Sequence, residues 1–283
     1  MIEVQSVPAL RDPILLAAFE GWNDAGEAAT KAVSHLARTW HAQVAFELDP
    51  EDYYDFQVNR PRAMLAKGQR RIIWPATRVL VATGTPLERD VVFIEGIEPS
   101  TRWRTYTAEL LDAANRLGVT TVVTLGALLA DVPHTRPIPV STTSDDPDTQ
   151  ARFGAEQSSY QGPTGIVGVL TEAASRGGLQ TLSCWAAVPH YAGGAPSPKA
   201  TLALLSTLER ILDVSIPQAE VADDAQAWEH GVNELAESDE EVAEYVKSLE
   251  QATDAAELPE ASGDVIAQEF ERYLRRRRDE PST

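Results

Sequence analysis

Short uncharged runs alternate with amphipathic stretches along the first 218 residues. Residues 14–19 are apolar without period-two alternation, which is typical of a strand buried on both faces of a parallel sheet. The segment that follows repeats apolar residues at helical spacing as far as about Trp40. A strand, a tight turn and a helix in this order predict an α/β fold, with the turn at residues 20–24 lying at the carboxyl end of a strand.

Further strands are predicted where apolar and β-branched runs lie between turn signals, at residues 43–48, 70–74, 79–83, 91–95, 119–130 and 179–188. Helical spacing predicts helices at residues 103–117, 146–156, 165–177 and 197–213. Between them, residues 131–146 form a proline-rich loop that contains His134. We interpret this loop as an ordered excursion over the sheet edge and a candidate active-site loop.

From Ala219 onward the apolar period is purely helical. Two helices are predicted in succession, with Ser238 and Glu241 as a capping box between them, and a third helix is predicted at residues 264–278. The change of period predicts a boundary near residue 218. We therefore expect an α/β core domain at residues 1–218 and an α-helical extension at residues 219–283.

Charge is distributed unevenly along the chain. The formal net charge is -19, and residues 217–283 hold 19 acidic against 6 basic residues. Such a field repels phosphate backbones, so we expect no nucleic-acid binding. The basic cluster at residues 275–278 is interpreted as the cationic end of the third helix. The acidity belongs mainly to the extension.

The composition also indicates the cellular compartment in which the protein works. No apolar run is long enough to cross a bilayer, and the first residues do not resemble a signal peptide. The single cysteine, Cys184, lies in a run of strand character and is expected to be a buried structural thiol. One cysteine permits no internal disulfide, which fits a reducing compartment. We therefore expect a cytoplasmic protein without membrane contact.

Five polar residues follow or end predicted strands. If the strands are parallel, these five residues face one rim of the sheet, where α/β folds usually bind ligands. The residues are Glu20, Asn23, Asp24, Glu95 and His190. Their acidity repels anions, so a pocket there suits an amine, a sugar hydroxyl or a peptide. The competing interpretation is structural: Asp24 caps the helix and Asn23 supports the turn. His134 is a further candidate for the rim.

Sequence motifs for familiar chemistry are not found. The chain has no nucleophile elbow, no metal-ligand spacing and no phosphate loop, so we assign no catalytic residue, no metal and no cofactor. Residues 162–168 form a glycine-rich helix entry. Its glycines could admit an anion or could allow close packing of the helix on the sheet.

An aromatic loop at residues 49–61 needs cover from water. Its side chains Tyr53, Tyr54, Phe56 and Arg60 could pack under the loop within one subunit, or they could form an interface between subunits. We favour the interface because Tyr and Arg dominate the hot spots of stable interfaces.

Several of these segments together resemble a known family. The sequence Phe-Glu-Gly-Trp-Asn-Asp-Ala-Gly at residues 19–26, the aromatic loop, Arg60-Pro61 and Trp74-Pro75 resemble the second type of proteasome assembly chaperone, in its bacterial and archaeal branch. The resemblance covers roughly residues 8 to 215. It implies a three-layer α/β/α fold of the nucleoside-phosphorylase kind with a mostly parallel sheet.

The sequence is compatible with two functions. The first, implied by the resemblance, is a non-catalytic, assembly-chaperone-like protein that forms a homo-oligomer, by analogy a trimer, with the proteasome or other proteins as partners. Such chaperones can end in a hydrophobic residue, a tyrosine and any residue; this sequence ends differently, and its Tyr273 follows Arg272. The alternative is a small-molecule-binding protein or an enzyme, of hydrolase, phosphorylase or ligase type, with a pocket around Asp24.

Overall fold

The computed structural model describes residues 1–66, 68–194 and 196–257. The strands in this part are β1 (Ile2–Glu3), β2 (Ile14–Glu20), β3 (Gln43–Leu48), β4 (Arg62–Ala66), β5 (Gln69–Ile73), β6 (Thr77–Ala82), β7 (Val91–Ile97), β8 (Thr121–Ala130), β9 (Val140–Thr143) and β10 (Gln180–Pro189). The α-helices are α1 (Ala28–Thr39), α2 (Trp103–Arg116), α3 (Pro147–Phe153), α4 (Ile166–Arg176), α5 (Pro198–Leu212), α6 (Ala219–Ser238) and α7 (Glu240–Glu257).

Eight of the strands form one sheet in the order β1-β3-β6-β7-β2-β8-β10-β9. The four strands β7, β2, β8 and β10 run parallel to one another. Each of the other pairings, including those of β6 and β9, is antiparallel. The sheet is therefore mixed, with a parallel centre whose carboxyl ends meet at one edge, which we call the carboxyl rim.

Helices cover both faces of this sheet. Leu16 belongs to a buried cluster that includes residues of α1 and α5, whereas its neighbour Leu15 belongs to a second cluster that includes residues of α2 and α4. Successive side chains of a strand point to opposite faces, so a strand between two helical layers must be apolar at every position. This explains the uninterrupted run of β2 and confirms the three-layer fold. Cys184 is fully buried in the first cluster, where burial raises the pKa of its thiol to about 12.

The extension lies against the core. Val232 of α6 and Leu249 of α7 are buried, and Lys199 of α5 forms a salt bridge of 2.7 Å with Glu229 of α6. The predicted capping box between the two helices is wrong in its first residue. Asp239 accepts the hydrogen bonds from the amides of α7, because Ser238 is still the last residue of α6 and its hydroxyl donates to the Leu235 carbonyl (2.8 Å). The predicted third helix and the basic cluster lie outside the described residues.

Four strands depart from the sequence-based prediction. The first, β1, was not predicted and pairs with β3 at the edge of the sheet. β5 was expected to join the sheet, but it pairs with β4, which was not predicted, in a separate two-stranded hairpin. The hairpin's side chains are exposed on both strands, so they lack the burial pattern on which strand prediction depends. Within the predicted proline-rich loop, β9 extends the sheet beside β10. Among the described helices, none has the length and apolar character that a bilayer span requires.

Candidate functional site

A small groove opens at the carboxyl rim beside α1. It has a volume of about 130 Å³ and includes Glu20 of β2, Glu95 and Gly96 of β7, and Ser34 of α1. In the sheet register Glu95 lies opposite Ala18 and, on its other side, opposite Arg78. Glu20 is two residues beyond Ala18 and so projects from the same face. The register therefore brings two of the five predicted rim residues into one groove.

The electrostatics of the groove are acidic. The pKa of Glu20 is raised above its ordinary value, first because its carboxyl is partly enclosed and then because Asp24 and Glu27 are negative neighbours. Arg78 also lines the groove, but its guanidinium bonds Glu47 at 3.3 Å. Such an arrangement favours a cationic or hydrogen-bond-donating group over an anion.

We expect Glu20→Gln to raise stability at neutral pH. Between the ordinary pKa of 4.5 and the raised pKa, the native state holds more protons than the unfolded state, so the free energy of unfolding falls as pH rises. Because Gln does not titrate, the free energy of unfolding of the Glu20→Gln variant does not fall in this way. Its melting temperature should equal that of the parent near pH 4 and exceed it at pH 7. Glu88→Gln, on an exposed turn, is the control for removal of a charge, and a constant difference across pH for Glu20→Gln would contradict the assignment.

Asp24 lies at the start of α1. Its carboxylate accepts hydrogen bonds from the amides of Ala29 (2.8 Å) and Thr30 (3.1 Å) and from the Thr30 hydroxyl. A short 3-10 turn at Ala25–Glu27 separates it from the first residue of α1, and the side chain spans that turn. Burial raises the pKa of Asp24 more than these hydrogen bonds lower it. The structural interpretation of Asp24 as a helix cap accounts for all of these contacts.

Asp24→Ala should lower the free energy of unfolding by about 1–2 kcal/mol, because three donors at the start of α1 lose their acceptor. Asp24→Asn keeps an acceptor oxygen and should cost about half as much. Chemical denaturation at pH 7 measures both. If both variants unfold like the parent but abolish binding of a ligand or partner, the cap interpretation gives way to a functional one.

Asn23 points to the opposite face of the sheet. It is buried, and its side-chain amide donates to Glu98 (3.0 Å), which also accepts from the backbone amide of Ile166 (2.9 Å) at the start of α4. A Cβ at Gly165 would lie 1.8 Å from the Asn23 amide nitrogen. Close packing therefore explains this glycine, and an internal carboxylate already occupies the helix start where an anion would bind. Glu98, one residue beyond β7, was not among the predicted site residues.

His190 lies apart from the groove. Its ring packs on Tyr245 of α7 with centroids 5.4 Å apart, and its Nδ1 is 3.3 Å from Asp131. The neighbouring His134 is buried, donates or accepts at Tyr191 (2.8 Å) and Asn233 (3.0 Å), and has a pKa lowered first by burial. Both histidines join the extension to the core. The structure thus does not bring His190 or Asn23 together with Glu20 and Glu95.

In the aromatic loop, two of the four residues predicted to form a subunit interface are buried within one chain. Tyr53 and Tyr54 are only 1% and 6% exposed within a single chain. The Tyr53 hydroxyl donates to Glu109 (2.6 Å), and that of Tyr54 lies 2.5 Å from Thr77. They pack under the loop, the first of the two alternatives, because the fold supplies partners for their hydroxyls. Of the predicted interface residues, Phe56 is half-buried and Arg60 is exposed.

Large apolar side chains stand exposed elsewhere on the carboxyl rim. Trp22 is 65% exposed in the turn after β2, and Leu128 and Leu129 are 46% and 54% exposed at the end of β8. Tyr160, 67% exposed, belongs to the loop that leads to α4. Exposed aromatic and aliphatic side chains in one region are typical of a protein-binding surface. In the described part of the chain, no group of three or more His, Cys, Asp or Glu residues could hold a metal ion.

Sequence reasoning missed three kinds of participant at the rim. Arg78 enters the groove through the pairing of β6 with β7, which no local pattern reveals. Glu98 follows a strand just as Glu20 ends one, and that similarity could have identified it. The predicted strand at residues 119–130 includes Leu128 and Leu129, but its pattern does not show that they are exposed, since apolar residues at a strand end look alike whether they are covered or not.

Comparisons with known proteins give a consistent picture. The model of the PAC2 family matches residues 18–236. A PAC2 family protein from Streptomyces avermitilis is 56% identical, with a TM-score of 0.78 over 83% of this chain and 100% of its own. A proteasome-assembly chaperone homologue from Mycobacterium tuberculosis is 49% identical, with a TM-score of 0.74 over 82% of this chain and 99% of its own.

A more distant structure shows how far the architecture extends. An archaeal proteasome activator from Pyrococcus furiosus is 17% identical, with a TM-score of 0.66 over 83% of this chain and 97% of its own. At that identity the likeness concerns the fold alone. No curated protein matches the sequence.

Proposed function

Because the chain belongs to the PAC2 family, whose model matches most of it, we propose that it is a non-catalytic, assembly-chaperone-like protein that binds other proteins as a cytoplasmic homo-oligomer. Proteasome subunits are the first partners to test, and a trimer is the assembly to test first. The observation that carries the proposal is the 49% identity to a proteasome-assembly chaperone homologue over nearly all of that chain.

The exposed apolar rim supports a protein as the ligand. Trp22, Leu128, Leu129 and Tyr160 offer aromatic and aliphatic contact area at the edge where α/β folds bind their ligands. The turn that carries Trp22 is held from both sides, by Asp24 at the start of α1 and by Asn23 on Glu98. A rigid turn presents its aromatic side chain with little loss of conformational entropy on binding.

The test is binding to purified proteasome subunits from the same cell. Native mass spectrometry should detect a complex with the parent, and calorimetry should show the dissociation constant rising at least about tenfold for the double variant Trp22→Ala, Leu129→Asp. The matched control, Ser34→Ala in the groove, should bind like the parent. A parent that binds no subunit would refute the partner, and a control as weak as the rim variant would refute the surface.

The second candidate is a small-molecule-binding protein, favoured by the groove and by the raised pKa of Glu20. The groove of about 130 Å³ is well below the roughly 300–1,000 Å³ of drug-sized sites, so only a small cationic or donor group fits. Thermal shift with amino-acid amides and nucleosides tests this candidate. A rise in melting temperature that is lost in Glu95→Gln would favour it over the first.

A further inference from the structure

The hairpin of β4 and β5 stands apart from the sheet. Its two strands pair only with each other among the described strands, and the described side chains of both are exposed. An isolated two-stranded hairpin is at best marginally stable in water. Within the described residues, this hairpin therefore lacks the packing against other elements that would stabilise it.

Much of the uncovered surface is apolar. Leu65 is 79% exposed, and other large apolar side chains on the hairpin and its flanks are between 44% and 76% exposed: Val58, Met64, Ile72, Ile73 and Trp74. Trp74 packs on Phe56 with centroids 4.9 Å apart, which joins the hairpin to the preceding loop. We call residues 56–74 the hairpin arm. Its 19 residues approach the roughly 20–30 that each partner contributes to a stable interface.

The hairpin arm is basic in an acidic protein. It holds five of the 24 Lys and Arg residues and none of the 43 Asp and Glu residues. Its arginines Arg60, Arg62, Arg70 and Arg71 are exposed, and within the described residues none of them forms a salt bridge. Arg71 lies opposite Met64 and Arg70 opposite Leu65. Paired residues share a face, so each face of the hairpin presents both apolar and cationic groups.

A complementary surface exists on the extension of the same protein. Residues 219–257 hold 13 acidic residues and one basic residue, Lys247. Four exposed glutamates lie around the junction of α6 and α7, and none has a salt bridge within the described residues: Glu237, Glu240, Glu241 and Glu244. Leu235 is 51% exposed close to them in the chain. We call this set the acidic helix face.

We propose that the hairpin arm of one copy docks on the acidic helix face of a second copy of this chain. The contact would pair arginines and glutamates that form no salt bridge within the described residues, and it would place Leu235 against the aliphatic side chains of the arm. The inference rests on the homo-oligomer of the proposed function and assigns its interface. A marginal hairpin needs permanent cover, and a second copy, present whenever the protein is present, supplies it.

Other occupants fit the arm less well. A membrane would take an apolar tip, but Gly68 precedes β5 at the reversal and the apolar residues of the hairpin lie along its strands. Nucleic acid would meet the repulsion of a chain with a net charge of -19. A second copy offers both the acidic and the apolar component of the complement.

Charge reversal in two separate variants tests the contact. Arg70→Glu with Arg71→Glu makes the arm acidic, and Glu237→Arg with Glu241→Arg makes the helix face basic. By sedimentation, each variant alone should self-associate at least about tenfold more weakly than the parent. A single chain that carries both reversals should recover the assembly, because each acidic arm then meets a basic helix face in a ring of any number of subunits. Arg104→Glu with Arg176→Glu, on α2 and α4, is the matched control and should assemble like the parent.

The outcomes separate this inference from the proposed function. An oligomer unaffected by either reversal, or a combined variant that does not recover assembly, would overturn the interface and leave the proteasome-subunit test untouched. A monomeric parent that floats with phosphatidylglycerol vesicles would replace the second copy by a membrane. Circular dichroism of each variant should match the parent, since all substituted side chains are exposed.

Discussion

Replacing Tyr54 by alanine should lower the free energy of unfolding by about 3–5 kcal/mol, the range observed for truncation of buried aromatic residues. Tyr54 is 6% exposed, and its hydroxyl donates to the Ile97 carbonyl at 3.0 Å as well as contacting Thr77. Thr77 in turn contacts the buried Tyr106 hydroxyl at 2.8 Å. The variant leaves a cavity and removes the first member of this hydrogen-bonded chain.

Two further substitutions divide that loss into its parts. Tyr54→Phe removes only the hydroxyl and should cost about 1–2 kcal/mol. Arg60→Ala, on the exposed part of the same loop, should leave stability within about 0.5 kcal/mol of the parent. Urea denaturation followed by tryptophan fluorescence measures all three. If Tyr54→Ala dissociated an oligomer without destabilising the subunit, Tyr54 would belong to a subunit interface and would not be packed within one chain.

Deleting residues 219–283 should leave a folded core that is less stable by at least about 3 kcal/mol. The loss follows from the burial of Val232, Val246 and Leu249 on the extension, since each aliphatic side chain contributes about 1.5–3 kcal/mol when fully buried. The core retains its sheet and the helices of both faces. Near-UV circular dichroism should therefore still report fixed tertiary packing in the truncated protein.

A single substitution separates the contribution of the salt bridge between core and extension from that of their apolar packing. Lys199 is 16% exposed at the side chain and bonds Glu229 of the extension. Glu229→Gln keeps the packing of α6 and should cost about 1 kcal/mol, well below the deletion. Residues 1–218 that prove insoluble, or that lose their near-UV signal, would show that the extension is part of the core domain and that the predicted boundary is misplaced.

The α/β architecture could be predicted from the sequence because burial leaves a local record. A strand covered on both faces must be apolar at each position, as in β2, and a helix on a sheet must repeat its apolar residues at helical spacing, as in α2. Asp24 was also recognisable, because a helix start needs an acceptor for its free amides. These requirements act over a few residues and therefore appear in short stretches of sequence.

The grouping of the site residues could not be predicted in this way. Five residues at one rim were expected to converge, but the alternation of side chains along β2 and β7 sends Glu20 and Glu95 toward α1, while Asn23 meets Glu98 on the side of α4. The local sequence does not show toward which face of the sheet the side chain of a turn residue points. His190 is set apart by strand order, which places β8 between β2 and β10.

The burial of the aromatic loop and the exposure of the hairpin also could not be predicted from local sequence. Tyr53 and Tyr54 belong to one short aromatic stretch with Phe56, and only the positions of Glu109 and Thr77, distant in sequence, decide that the two tyrosines are buried. Met64 and Ile72 are as apolar as core residues, yet β4 and β5 lie outside the sheet that would cover them. Local sequence patterns were enough to predict the central strands and the helices of the core, because each of these segments lies in one repeating environment along its length. Which side chains meet could be seen only in the folded molecule, because these contacts depend on strand order and register, and packing among segments far apart in the chain sets both.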